Sequence, residues 1–181
     1  MFIQTEQTPN PATLKFLPGC AVMETGTANF TDAAAATRSP LAERLFGLAE
    51  VGGVFLGGDF ITVTKTDDSD WFQLKPAVLA AIMEHFTSGQ PVVTGAAETT
   101  ATEGEDDEVV SAIKELLETR VRPAVAQDGG DIIFEDFEDG VVYLHMQGSC
   151  SGCPSSTATL KAGIENMLRH YIPEVVEVRA V

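Results

Sequence analysis

Residues 128–156 read DGGDIIFEDFEDGVVYLHMQGSCSGCPSS, and most of one domain can be laid out from them. Asp139-Gly140 stands between Ile132–Phe137 and Val141–Met146, two runs rich in β-branched and aromatic residues, which predicts a tight two-strand hairpin. Before it, Asp128-Gly129-Gly130-Asp131 closes a helix, a glycine supplying the left-handed C-cap. The helix lies upstream: Val109, Ile113, Leu116, Leu117 and Val121 recur at helical spacing after the acidic turn Glu105-Asp106-Asp107-Glu108, and Pro123 kinks it or starts another turn. After the hairpin come Cys150 and Cys153, then a helix from about Ser155 with Leu160, Ile164, Met167, Leu168 and Tyr171 on one stripe. Pro173 stops that helix, and Val175–Val181 reads as a last strand. The order α-β-β-α-β predicts two helices on one face of a three-stranded sheet.

Working outward, residues 88–107, SGQPVVTGAAETTATEGEDD, hold no aromatic and no basic residue. Such a stretch buries too little apolar surface to offset the cost of ordering, so a flexible acidic linker is expected there. It separates a first domain, 1–87, from a second, 108–181. In the first, Phe2–Thr5 and Leu14–Leu17 read as strands around the proline-broken TPNPAT turn. Residues 25–38 read as an irregular connection. Ser39-Pro40 opens a helix with Leu41, Leu45 and Leu48 on one face. Val54–Leu56 and Phe60–Thr64 bracket the turn Gly57-Gly58-Asp59, and a second helix is expected from Lys75-Pro76, burying Leu79, Ile82, Met83 and Phe86. The fold class expected is α+β in two small domains.

The charge balance, 27 acidic against 11 basic residues for a net −16, disfavours binding to a nucleic-acid backbone. No apolar run is long enough to span a membrane. MFIQTEQTPNP shows no targeting leader, so a bacterial cytoplasmic protein is expected, or a mitochondrial matrix protein whose presequence has been removed.

The chemistry concentrates in GSCSGCPSS, 148–156. A CxxC at a helix entrance sits where unpaired N–H groups and the helix dipole favour thiolate over thiol, and Gly148 and Gly152 let backbone donors close around a sulfur-bound group. Two uses remain open. A structural zinc or a cubane iron–sulfur cluster needs four ligands, and this loop offers two. His85, His145 and His170 fall on a helix, a strand and the far end of a helix, so the simplest completion is a second copy of the loop in a homodimer. The other use is a thioredoxin-like dithiol, but only 28 residues follow Cys153, too few for that fold. No catalytic triad, P-loop or dinucleotide-binding glycine motif occurs, so no enzyme activity is expected.

The run from Asp128 through VYLHMQGSCSGCPSSTATLKAGIE closely resembles the C-terminal iron–sulfur domain of NifU (the Nfu type), while TPNP at 8–11, LKFLPG at 14–19, and Trp71 ahead of LKP at 74–76 resemble the N-terminal domain of Nfu proteins. The resemblance implies a non-enzymatic scaffold or carrier. Cys150 and Cys153 would be thiolate ligands to a [4Fe–4S] cluster bridging two protomers, passed to apo iron–sulfur client proteins by ligand exchange. The N-terminal domain would recognise clients or upstream cluster assembly proteins. The alternative is a thiol–disulfide oxidoreductase using the same CxxC. Outside the motif, Cys20 reads as a small hydrophobe, Asp128 and Asp131 as cap and turn residues or as residues that shape the cluster pocket, Lys161 as a solvated lysine before one that softens cluster charge, His145 as an exposed strand residue, and Trp71 and Phe72 as core aromatics before they read as a partner-binding patch.

Overall fold

The computed structural model describes residues 2–94, 107–151 and 154–181, the side chains of 154–156 excepted. The chain forms two compact units, Met1–Thr99 and Thr100–Val181, each an α+β unit as expected.

The first unit is an antiparallel sheet in the order β1-β2-β5-β4-β3, from strands β1 Gln4–Gln7, β2 Thr13–Leu17, β3 Ala28–Phe30, β4 Val51–Leu56 and β5 Ile61–Lys65. In the TPNP turn Pro9 and Pro11 cannot donate, and side chains take over: the Thr8 hydroxyl reaches the carbonyls of Asn10 and Thr13 at 2.9 Å. Helix α1, Pro40–Phe46, starts as expected, with the Ser39 side chain accepting from the Ala42 N–H. Helix α2, Trp71–Ser88, begins four residues earlier than Lys75-Pro76 suggests. The Asp70 carboxylate caps it by accepting from the Phe72 N–H at 3.0 Å, and Pro76 is carried inside the helix. The stretch 25–38 is less irregular than expected: it holds β3 and a 3₁₀ turn, Ala35–Arg38, both too short to leave a periodic signal. Phe16, Phe30, Leu41, Leu45, Ile61, Leu74 and Ile82 are fully buried between sheet and helices.

The first part of the expected linker belongs to this unit. Ser88 is the last residue of α2, Val92 and Val93 pack on the core, and the Thr94 N–H donates to the Arg38 carbonyl at 2.7 Å. Val92 and Val93 are apolar in an otherwise small and polar stretch, and their partial burial on the core holds it. Residues 95–106, the rest of that expected linker, lie outside the described residues.

In the second unit, α3 (Glu108–Leu116), one π-turn (Leu117–Val121) and α4 (Arg122–Gln127) follow one another directly. Pro123 supplies no N–H, and its ring crowds the carbonyl four residues back; a wider turn just before it takes up that misfit. The sheet order is β6-β7-β8, from β6 Gly130–Glu138, β7 Val141–Gly148 and β8 Glu177–Ala180. β6 and β7 are antiparallel, while β8 runs parallel to β7 after the crossover through α5, Pro154–Tyr171. Asp139 (φ 51°) and Gly140 (φ 80°) both take the left-handed conformation of a type I′ hairpin turn. The Gly140 carbonyl accepts the N–H groups of Val176 and Glu177 and so docks the start of β8, and a Cβ at Gly140 would lie 2.8 Å from the Val176 side chain. Ile113, Leu117, Val121 and Val125 from the helical arm meet Ile132, Val142, Leu144 and Met146 from the strands and Ile164 and Leu168 from α5. No helix among the described residues is long and apolar enough to cross a membrane.

Leu144 is fully buried at the centre of this core. Leu144→Ala should cost about 2–5 kcal/mol, read as a lowered urea midpoint by tyrosine absorbance, since both tyrosines, Tyr143 and Tyr171, lie in the second unit. A loss below about 1 kcal/mol would mean that the site is not close-packed.

Candidate functional site

The β6–β7 pairing sets Gly130 directly opposite Gly148. Two segments therefore leave the same end of the hairpin side by side: the Asp128–Asp131 turn and the cysteine loop. Ser149 ties them together, its N–H donating to the Gly129 carbonyl at 3.2 Å and its hydroxyl donating to the Asp128 carbonyl. Cys150 then folds over Gly130. A Cβ built on Gly130 would fall 2.5 Å from the Cys150 Sγ, well inside contact distance, so the thiol occupies the space a side chain would take. The Thr157 hydroxyl, in the first turns of α5, donates to the Cys150 carbonyl at 3.0 Å and anchors the loop to the helix.

Beneath the turn lies an ion pair that sequence spacing did not reveal. Arg122 Nε and Nη2 donate to the two carboxylate oxygens of Asp131 at 2.9 Å each, and Nη1 donates to Glu118 at 2.6 Å. Asp131 is 3% exposed and also accepts the Ile132 N–H at 2.8 Å. The hydrogen bonds to Asp131 hold the Arg122 guanidinium even further above its ordinary range than usual.

The expectation that the helix entrance favours a thiolate does not hold for Cys150. The residue is 6% exposed, and burial pushes its thiol up to about 11; the hydrogen bond with Ser149 works against this, and Asp128 and Asp131 add to it. Cys150 stands four residues before Pro154, beyond the first turn where the dipole acts. In the isolated chain it is a protected, neutral thiol. Cys153, the second expected ligand, lies outside the described residues. Among the described residues no group of three or more His, Cys, Asp or Glu side chains could hold a metal ion, so one chain closes no metal site within them.

Two family models match the chain: "Scaffold protein Nfu/NifU N terminal" over residues 3–89 and "NifU-like domain" over residues 113–179. The human NFU1 iron-sulfur cluster scaffold homolog, mitochondrial, is 58% identical over all of this chain and 72% of its own length. The chain belongs to the Nfu/NifU family. NifU-like protein 4, mitochondrial, of Arabidopsis thaliana is 55% identical over 97% of this chain and 64% of its own, and the Drosophila virilis NFU1 homolog, also named mitochondrial, is 54% identical over all of this chain and 62% of its own. The chain thus spans roughly two thirds of the length of these relatives. Their names correct the bacterial cytoplasmic expectation, which rested on the look of the first residues alone.

The remaining candidates sort by burial. Cys20 is exposed, not a core residue; it lines a groove of about 490 Å³ with Phe2, Leu17 and Asp59. His85 is fully enclosed in the first unit, where burial and then the charge of Arg44 lower its pKa, while His145 is half-buried on β7 and its Nδ1 lies 3.1 Å from the Val181 carbonyl. Lys161 is not simply solvated, for its Nζ stands 3.9 Å from Glu177. Trp71 is half-buried, its Nε1 donating to the Pro11 carbonyl, but Phe72 is 87% exposed, contrary to the core expectation. The two flank a groove of about 600 Å³ with the TPNP turn and Lys75.

In the folded apo chain, iodoacetamide at pH 8 should label Cys20 readily and Cys150 slowly, as followed by peptide mass spectrometry. A thiol whose folded pKa lies above its unfolded value contributes stability that is full below about pH 9 and lost as pH rises toward 11. Stability should therefore fall across that window in the parent chain, with less of a fall in Cys150→Ala. Equal labelling of Cys20 and Cys150 would contradict the buried placement.

Proposed function

We propose that the chain is a carrier that holds a [4Fe–4S] cluster between two copies of itself, through Cys150 and Cys153 of each, and delivers it to apo iron–sulfur proteins. The observation that carries this is the donor count at a family-typical loop. One chain brings two thiols at 148–156, and within its described residues nothing else gathers into a metal site. Four soft sulfur donors suit an iron–sulfur cluster better than a hard cation, and a two-fold axis supplies the missing pair. Membership in a family whose relatives are named iron–sulfur cluster scaffolds supports the same choice over a dithiol oxidoreductase.

The setting of Cys150 suits a carrier that must let go. On transfer, each iron–sulfur bond to this chain is replaced by one to a thiolate of the recipient, with no change of oxidation state. Cys150 leaves as a thiolate. With a folded pKa near 11 it takes a proton at neutral pH and returns to its buried place over Gly130. The protonated, packed state of the empty protomer thus competes with recapture, which favours a donor over a permanent holder. The first unit would receive partners, either clients or cluster assembly proteins. The exposed Phe72 beside the TPNP groove offers an unburied aromatic, the kind of anchor on which interfaces depend.

After anaerobic reconstitution and desalting, Cys150→Ser and Cys153→Ser should each retain no cluster, while Cys20→Ser retains as much iron as the parent chain. Circular dichroism of both loop variants should stay that of a folded protein. A full complement of iron in either loop variant contradicts the assignment, as does turnover of a disulfide substrate by the iron-free parent.

A further inference from the structure

Arg122 stands on the helical arm, nine residues before Asp131. It reaches the loop in two steps. Its guanidinium grips both oxygens of Asp131, a carboxylate 3% exposed, and Asp131 follows Gly130 at the start of β6. Gly130 and the turn before it form the bed of the cysteine loop: Ser149 donates twice into that turn, and the Cys150 sulfur fills the place of the missing Gly130 side chain. The π-turn at Leu117–Val121 and the fixed start of α4 at Arg122-Pro123 hold the guanidinium where this bidentate grip is possible, with Glu118 one turn back taking the remaining edge. A planar fork matched to a carboxylate fixes direction as well as distance, which a lysine cannot reproduce.

We propose that Arg122 is a positioning residue for Cys150: by clamping Asp131 it holds the Asp128–Asp131 turn as a rigid floor, and so sets where the Cys150 sulfur sits. Its importance for the cluster rests on the reading of Cys150 as a ligand; its effect on the sulfur does not. Removing the guanidinium takes two charge-assisted hydrogen bonds from a buried carboxylate, and that strain falls on the turn beneath the thiol before it reaches the rest of the core.

The test uses the full chain, iron-free and reconstituted. In iron-free Arg122→Gln, iodoacetamide labelling of Cys150 should speed up about tenfold or more, with Cys20 unchanged; Asp131→Asn should act in the same direction and Arg122→Lys fall between. Amide exchange at Leu144 and Ile164 reports the core independently. If Cys150 stays as protected as in the parent, or gains reactivity only in step with exchange at those core amides, the positioning role is overturned and the pair serves the fold as a whole. After reconstitution, Arg122→Gln should lose iron faster than the parent on dilution, with Arg122→Lys intermediate; an unchanged rate of loss overturns the claim that the floor matters to the bound state. Should the parent itself take up no iron, the carrier reading fails, while the labelling rates still decide the role of Arg122.

Discussion

The close pass of the cysteine loop over Gly130 is the constraint on which the second unit is organised. The hairpin places Gly130 opposite Gly148, and the loop that follows must then cross the turn that precedes β6. With any side chain at 130 the Cys150 sulfur would have no room. The crossing is secured by Ser149 on one side, by Thr157 on α5 behind it, and by the Arg122–Asp131 pair below. Helical arm, hairpin and final helix are thus joined through a few residues around one thiol.

That arrangement reconciles two demands that otherwise conflict. A carrier must bind a cluster through thiolates, yet the empty protein must keep its cysteines from oxidation and stray metals. A sulfur buried beside two aspartates holds its proton and stays out of solvent, so Cys150 is chemically quiet in the empty state. On the proposed carrier reading, binding would have to overcome that burial and release would regain it, so the cost of exposing Cys150 would set how firmly the cluster is held.

Much of this was legible in the sequence, and the failures have physical causes. Asp139-Gly140 gave the hairpin because a type I′ turn needs positive φ at two successive residues, and the stripe from Leu160 to Leu168 gave α5 because helical periodicity is a strong local signal. Pro76 misled about the start of α2, since Asp70 capped the helix earlier and the proline was tolerated inside it. Residue type places Phe72 in the core, whereas the structure leaves it exposed in the first turn of α2. The site was legible as a pair of cysteines but not as an environment. Neither the Arg122–Asp131 clamp nor the packing of Cys150 on Gly130 follows from spacing, because both depend on strand register and on a π-turn. For the same reason the helix-entrance rule suggested a thiolate where burial makes a thiol.

The central claim is one of sharing: a single chain supplies half of the sulfur donors that a cubane cluster requires. Native mass spectrometry of the anaerobically reconstituted protein tests it most directly, because mass and iron are read on the same particle. The account predicts that iron-bearing particles contain two chains and one four-iron cluster. A single chain carrying that cluster, or a reconstituted protein free of iron, would contradict it.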